Sequence, residues 1–222
     1  MSRPPATLAS LMLDGQWPFA YPPALAASVS AILKGEWDYA PLPDNPHPRR
    51  MLDIGAGCGA FACWAFKRYA GEVFIECYEP HPELAKLCAV NAPPGSRTHA
   101  VAVTSRPSPV KLRDALDWER ASFESSGQIE VPTLHPRDLP PTDVLKCDAR
   151  GDLDVLSNYQ HLATTQIVML RWRREGERAA MEKLCADAGL RLFKSTHMHV
   201  SSGLQVWIRS RAVWNAERYV MP

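Results

Sequence analysis

No stretch of about 18 consecutive apolar residues occurs in the chain, so the sequence offers no candidate membrane span. Excess charge of one sign is missing too: 25 Lys and Arg face 24 Asp and Glu, a formal net charge of +1. That balance removes the general electrostatic argument for a nucleic acid or a membrane surface as partner. The six cysteines (Cys58, Cys63, Cys77, Cys88, Cys147 and Cys185) include no CxxC pair, and the seven histidines form no HExxH. A structural zinc site or a disulfide scaffold needs clustered ligands, so the cysteines read as small buried apolar residues and no metal is expected. The N-terminal "MSRPPATLASLMLDGQWPFAYPP" has only a short apolar stretch before Asp14 and Gln16, unlike a secretory signal. The expected location is cytoplasmic.

What remains is an ordinary globular composition. With 222 residues, 46% of them hydrophobic, the chain can bury one full core. Residues 1–50 carry two helical patterns, "ATLASLMLD" and "PPALAASVSAILKGEW", followed by the proline-rich linker "PLPDNPHPRR". From residue 51 the pattern alternates. "RRMLDI", "EVFIECYE", "THAVAV", "DVLKC" and "QIVMLRW" read as strands, and "AFACWAFKRYA", "HPELAKLCAVNA" and "EGERAAMEKLCADAGL" as helices. "RLFKSTHMHV" and "LQVWIRS" form a terminal hairpin. The expected fold is α/β: a Rossmann-like, doubly wound, mostly parallel seven-stranded sheet with a C-terminal antiparallel hairpin. Residues 1–50 are expected to be a helical segment and linker, and residues 51–222 the main domain. Residues 104–142 are irregular and too long for a plain loop, with a hairpin or small helix around "KLRDALDWERASF".

"MLDIGAGCGAF" places Gly55, Ala56, Gly57 and Gly59 behind the first strand, where such sheets bind ligands. The glycines permit a tight turn and close approach of backbone to a ligand, and the next helix aims its N–H groups at the same spot. As a pattern the loop fits both GxGxxA, a dinucleotide fingerprint, and (D/E)xGxGxG with Asp53. Glu79, twenty residues beyond Gly59, can accept hydrogen bonds from ribose hydroxyls in either case. Asp53 favours the second pattern. A carboxylate there repels pyrophosphate and attracts an ammonium or sulfonium, and S-adenosylmethionine carries both without a phosphate. The bland alternative is that Asp53 caps the glycine turn and Glu79 is a solvated strand end.

These stretches resemble class I S-adenosylmethionine-dependent methyltransferases, and most closely the FkbM-type family of small-molecule and sugar O-methyltransferases. "MLDIGAGCGAFACWA" is similar to motif I, "VFIECYEPHPELAKLCAVNA" to the second-strand motif, and "VPTLHPRDLPPTDVLKCDARGDLDVL" to the "tLDdL…vDllKiDvEG" region. "AVAVTS" and "QIVML" resemble the third and fifth strands, so the likeness spans residues 51–172. It implies that Asp53 and Gly55 through Gly59 hold the methionine moiety, Glu79 the ribose, and Pro80 and His81 flank the ribose and adenine. Ala102 and Val103 would lie near the adenine, and Asp148 would face the methyl-transfer site. Three positions depart from the family on the acceptor side: His135 stands for an Asp, Arg150 for a Glu, and Arg171 where an acidic residue is common.

The implied reaction is transfer of a methyl group to an oxygen of a small molecule or saccharide. Asp148 is the candidate base or acceptor-orienting group, with Lys146 on the same strand face; a turn cap before Gly151 explains Asp148 equally well. Arg171, Arg173 and Arg174 around Trp172 could meet an anionic or sugar acceptor or simply begin a surface helix. His197 and His199 share a face and read as acceptor lining or packing. Within residues 22–50, Trp37 and Tyr39 are candidates for a lid, with core packing the simpler role. No (D/N)PPY follows the fourth strand and "KCDARG" is not a Pro-Cys loop, so no nucleic-acid substrate is expected. The rivals are a non-catalytic methyltransferase-fold binding protein and an NAD(P)-dependent oxidoreductase; the latter would lack a YxxxK pair here.

Overall fold

The computed structural model describes residues 7–37, 48–113, 127–149, 151–199 and 202–209. The first expected helix is a strand instead. β1 (Ala9–Leu13) and β2 (Trp17–Tyr21) pair as an antiparallel hairpin. Asp14 and Gly15 turn the chain with φ of 49° and 72°, the left-handed pair that a tight hairpin turn requires. The "DG" step thereby overrides a helical reading of "ATLASLMLD". The second expected helix is present: a short 3-10 turn at Pro23–Leu25 leads into α1 (Ala26–Leu33).

The alternating part follows as β3 (Arg50–Ile54), α2 (Ala60–Arg68), β4 (Phe74–Tyr78), α3 (Pro82–Asn91) and β5 (Arg97–His99). The expected third strand breaks after His99. Its continuation, β6 (Ala102–Val103), leaves the sheet to run beside a later piece of chain. Residues 104–142 hold β7 (Val110–Leu112), paired with β8 (Ile129–Val131), and β9 (Thr133–Leu134), the partner of β6. Most of "KLRDALDWERASF" lies outside the described residues. Then come β10 (Val144–Cys147), α4 (Asp152–Asn158), β11 (Ile167–Trp172), α5 (Glu175–Asp187), β12 (Leu190–His199) and β13 (Ser202–Arg209). The two-turn α4 had no separate place in the sequence reading.

Among the described residues the central sheet has seven strands in the order β12-β13-β11-β10-β3-β4-β5. All run parallel except β13, which is antiparallel to both its neighbours and sits one place in from the edge. Strand order reverses between β3 and β10, and that reversal opens a crevice at the carboxyl ends of the strands. Period-2 alternation sends Met51, Ile75, Cys77 and Met169 to one face, under α2, and Leu52, Ile54, Leu145 and Leu170 to the other, under α4 and α5. The β1–β2 hairpin and α1 form a third apolar cluster, in which Phe19, Leu25 and Val29 cover Cys58, Cys63 and Leu84. All six cysteines are free and buried, and no group of metal ligands exists among the described residues. Nor is any described helix long and apolar enough to cross a membrane.

The far end of the sheet is closed by Arg209. Its guanidinium donates to the carbonyls of Thr165 (3.0 Å), Ala188 (2.8 Å) and Leu162 (3.0 Å), binding the end of β13 to two other chain segments, the turn at residues 162–165 and the C-terminal cap of α5. Replacing Arg209 by Met strands these acceptors in a buried position. We expect a loss of about 2–4 kcal/mol in urea unfolding, with an unchanged m-value.

Candidate active site

The carboxyl ends of β3, β4, β10 and β11 open on one cleft of about 330 Å³, within the range of small-ligand pockets. The loop from Gly55 to Gly59 forms its floor, and α1 supplies a wall through Ser28, Val29 and Ile32. The amides of Gly55 and Ala56 both donate to the Tyr78 carbonyl, at 2.9 and 3.2 Å, which folds the loop against the end of β4. Gly55 has φ +76°, and a Cβ there would collide with the Asp148 carbonyl. That contact lets β3 and β10 approach at the crevice, so the position tolerates only glycine.

Glu79 stands on the rim, just past β4, and is almost wholly buried. Its Oε2 accepts the Gly57 amide and its Oε1 the His81 amide, each at 2.8 Å. Burial pushes its pKa up to about 7, against the lowering effect of these two donors.

Asp53 does not border the cleft. It is fully buried, and Lys146 takes up its charge: the ammonium lies 2.7 Å from Asp53 Oδ1 and donates to the Gly55 carbonyl at 2.8 Å. The parallel register that sets Lys146 opposite Asp53 makes this contact. Burial works against the lysine's charge, but Asp53 and Asp148 outweigh it and hold its pKa above the ordinary value. The direct attraction expected between Asp53 and a ligand cation is therefore replaced by a pair that stiffens the loop, with Lys146 facing the cleft.

At the opposite end Asp148 receives two guanidinium groups on one oxygen, Arg171 Nε at 2.8 Å and Arg173 Nη2 at 2.6 Å. Its burial would raise the pKa, yet Arg171, Lys146 and Arg173 hold it down to about 2. Arg171 also pairs with Glu36 at 3.0 Å and lies over the Trp37 ring, 5.6 Å from its centroid. Arg173 reaches the Ala149 carbonyl (2.9 Å) and Asp152 (3.4 Å). Asp152 itself accepts the Ala149 amide at 2.7 Å, and burial pushes its pKa up to about 7. So low a pKa makes Asp148 a poor general base and an effective fixed anion.

Of the residues singled out in the sequence, Gly55, Ala56, Gly57, Glu79, Pro80, Val103, Lys146 and Asp148 border the cleft. Gly59 caps α2 from below, His81 is buried beside Glu79, and Ala102 lies in the small β6–β9 sheet. The arginine cluster divides: Arg171 and Arg173 enter the site, whereas Arg174 only approaches Glu177 on the surface of α5, at 3.9 Å. His135 bonds to Arg137 outside the cleft, and His197 packs edge-on against Trp172. Trp37 is a core residue beneath Arg171. Tyr39, Arg150 and the His199 side chain lie outside the described residues. Glu36 was missed, and nothing local in "KGEW" marks it, because its partner is 135 positions away.

No protein-family model matches the chain, and no curated protein matches it in sequence. Solved structures do match by fold. Aeropyrum pernix fibrillarin with natively bound S-adenosyl-L-methionine is 13% identical, with a TM-score of 0.51 over 93% of this chain and 84% of that one. A chain of a fibrillarin/Nop5p complex is 14% identical, with a TM-score of 0.51 over 90% of this chain and 87% of that one. At such identity the likeness is one of fold. The chain has the Rossmann-like fold of S-adenosylmethionine-dependent methyltransferases.

The buried carboxylates set a pH dependence. Glu79 and Asp152 have folded pKa values near 7, above their ordinary 4.5 and 3.8, so the folded state holds their protons more tightly. Their contribution is full below those ordinary values and is lost as pH rises toward 7; Asp148 acts oppositely, and only below its ordinary 3.8. Thermal melts of the ligand-free chain should give a higher midpoint at about pH 5.5 than at about pH 8, and Glu79→Gln should flatten that difference.

Proposed function

We propose that the chain is an S-adenosylmethionine-dependent methyltransferase, related to the FkbM-type family, acting on an oxygen of a small molecule or saccharide. The observation that carries this reading is the bond from the Gly57 amide to Glu79. In a dinucleotide site the glycine-loop amides receive pyrophosphate. Here that donor is already taken by the Glu79 carboxyl group, which occupies the amide a pyrophosphate would need and suits ribose hydroxyls. This supports a nucleoside ligand with no phosphate at the loop, and it disfavours the NAD(P) reading. The six free cysteines support a reducing, cytoplasmic setting. We read residues 1–50 as a covering segment and residues 51–222 as the catalytic domain.

The residues present fit such a cofactor: open space beside Gly57, where a Cβ would meet no protein atom, and Glu79 on the rim. When bound, S-adenosylmethionine supplies a methyl group on an electrophilic sulfonium. The chain's own part is positioning. Glu79 holds the ribose, Lys146 fixes the loop through Asp53 and the Gly55 carbonyl, and the wall of α1 limits water. Asp148, kept ionised by Arg171 and Arg173, would accept a hydrogen bond from the acceptor hydroxyl and orient its oxygen toward the methyl donor, and the hydroxyl proton, which so weak a base does not retain, would leave to water. A second reading, a binding protein without turnover, is favoured by one observation: the acceptor-side carboxylate is already engaged by two arginines.

Calorimetric titration with S-adenosylhomocysteine, with NAD(H) in parallel, tests the cofactor. Micromolar binding of the first alone is expected, weakened about tenfold or more in Glu79→Gln; binding of NAD(H) alone overturns the proposal. In an active preparation Asp148→Asn should lower turnover about a hundredfold and leave the S-adenosylhomocysteine Kd unchanged. Full turnover in that variant removes Asp148 from the mechanism.

A further inference from the structure

Asn91, the last residue of α3, is fully buried and spans two parts of the molecule that no strand or helix joins. Its Oδ1 accepts the Ala20 amide at 3.0 Å, and its Nδ2 donates to the Ala20 carbonyl at 2.6 Å. The side chain thus pairs with the outer edge of β2 as a neighbouring strand would. The second Nδ2 hydrogen goes to the Cys58 carbonyl at 2.8 Å, in the middle of the glycine loop. The Asn91 backbone carbonyl accepts the Cys63 thiol at 3.2 Å, tying the same residue to the first turn of α2.

We propose that Asn91 is a positioning residue for the cofactor cleft, through which the N-terminal hairpin holds the glycine loop in its ligand-ready shape. The inference rests on the cofactor reading above. Two neighbouring residues of the loop are gripped from opposite sides, Gly57 by Glu79 at the rim and Cys58 by Asn91 from behind. Both border the cleft. A loop held this way loses little conformational freedom when a ligand arrives, so the bonds contribute to affinity as well as to stability. Only a side-chain amide meets the demand, since it needs two donors and one acceptor within one short group. Aspartate keeps the acceptor and loses the donors, and a hydroxyl is too short. Anchoring the hairpin would require only the Ala20 pair. The third bond, to Cys58, is the one that points to the cleft.

The test compares wild type with Asn91→Ala in two measurements: titration with S-adenosylhomocysteine, and amide hydrogen exchange of the ligand-free chain. The expected result is a Kd raised about tenfold, or about 1.4 kcal/mol, with faster exchange across residues 51–63 and unchanged exchange in β11 and α5. A Kd within about twofold of wild type, with unaltered loop exchange, overturns the proposal. So does a loss of affinity accompanied by faster exchange throughout the sheet, the mark of a merely structural role. If Asn91→Ala does not fold, Ala20→Pro tests the same link, because it removes one N–H from the outer edge of β2 and leaves the β1 pairing intact. Should folded wild type bind no S-adenosylhomocysteine, the cofactor reading fails. The exchange comparison then decides by itself whether Asn91 holds the loop.

Discussion

The ammonium of Lys146, buried between β3 and β10, is the contact on which the rest of the site depends. It answers the Asp53 carboxylate and the Gly55 carbonyl at once, exactly where the sheet reverses its strand order. A crevice between diverging connections tends to leave backbone groups unpaired. Here one cation ties the two strand ends together and fixes the first peptide of the glycine loop. Such a pair offers little net stability over apolar packing, but loss of either partner would leave a charge stranded in the core. Its value is in specification: with the loop's first carbonyl held, the Gly55 turn and the Asp148 carbonyl meet in a single arrangement.

From that point an alternating row of charges runs along Glu36, Arg171, Asp148, Arg173 and Asp152, and its three central members border the cleft. Each member compensates its neighbours, so a set of half-buried charges is kept without a large net field. Arg171 is central because it joins the chain before the sheet, at Glu36 and Trp37, to the end of β11. In the proposed reaction the acceptor would meet this row rather than an isolated acid.

The sheet and the glycine loop were legible because their signals are local. β3, the glycine loop, β4 and Glu79 follow one another within thirty residues, each bounded by glycine or proline. The apolar spacing of "ATLASLMLD" fits both a helix and a strand, and the Asp14–Gly15 step that decides it lies at its end. α4 is seven residues long, too short for a helical period to declare itself. Glu36 and Asn91 were illegible for another reason. Their meaning is a partner 135 or 71 positions away, and no spacing rule reports such a distance. Asp53 was legible as a charge but not as half of a pair, since the register of β10 on β3 is a tertiary fact.

β13 runs against every strand it touches, so it begins where the parallel strands end. Its first residue, Ser202, borders the cleft. The crossovers that bear the glycine loop, Glu79 and Asp148 are bound into the parallel scaffold, and lengthening them would disturb it. A strand pair such as β12 and β13 carries no such duty, because a hairpin can grow at its tip without shifting the strands behind it. The fold therefore separates two kinds of change: one end of the cleft is mechanically constrained, and the other can accept insertions.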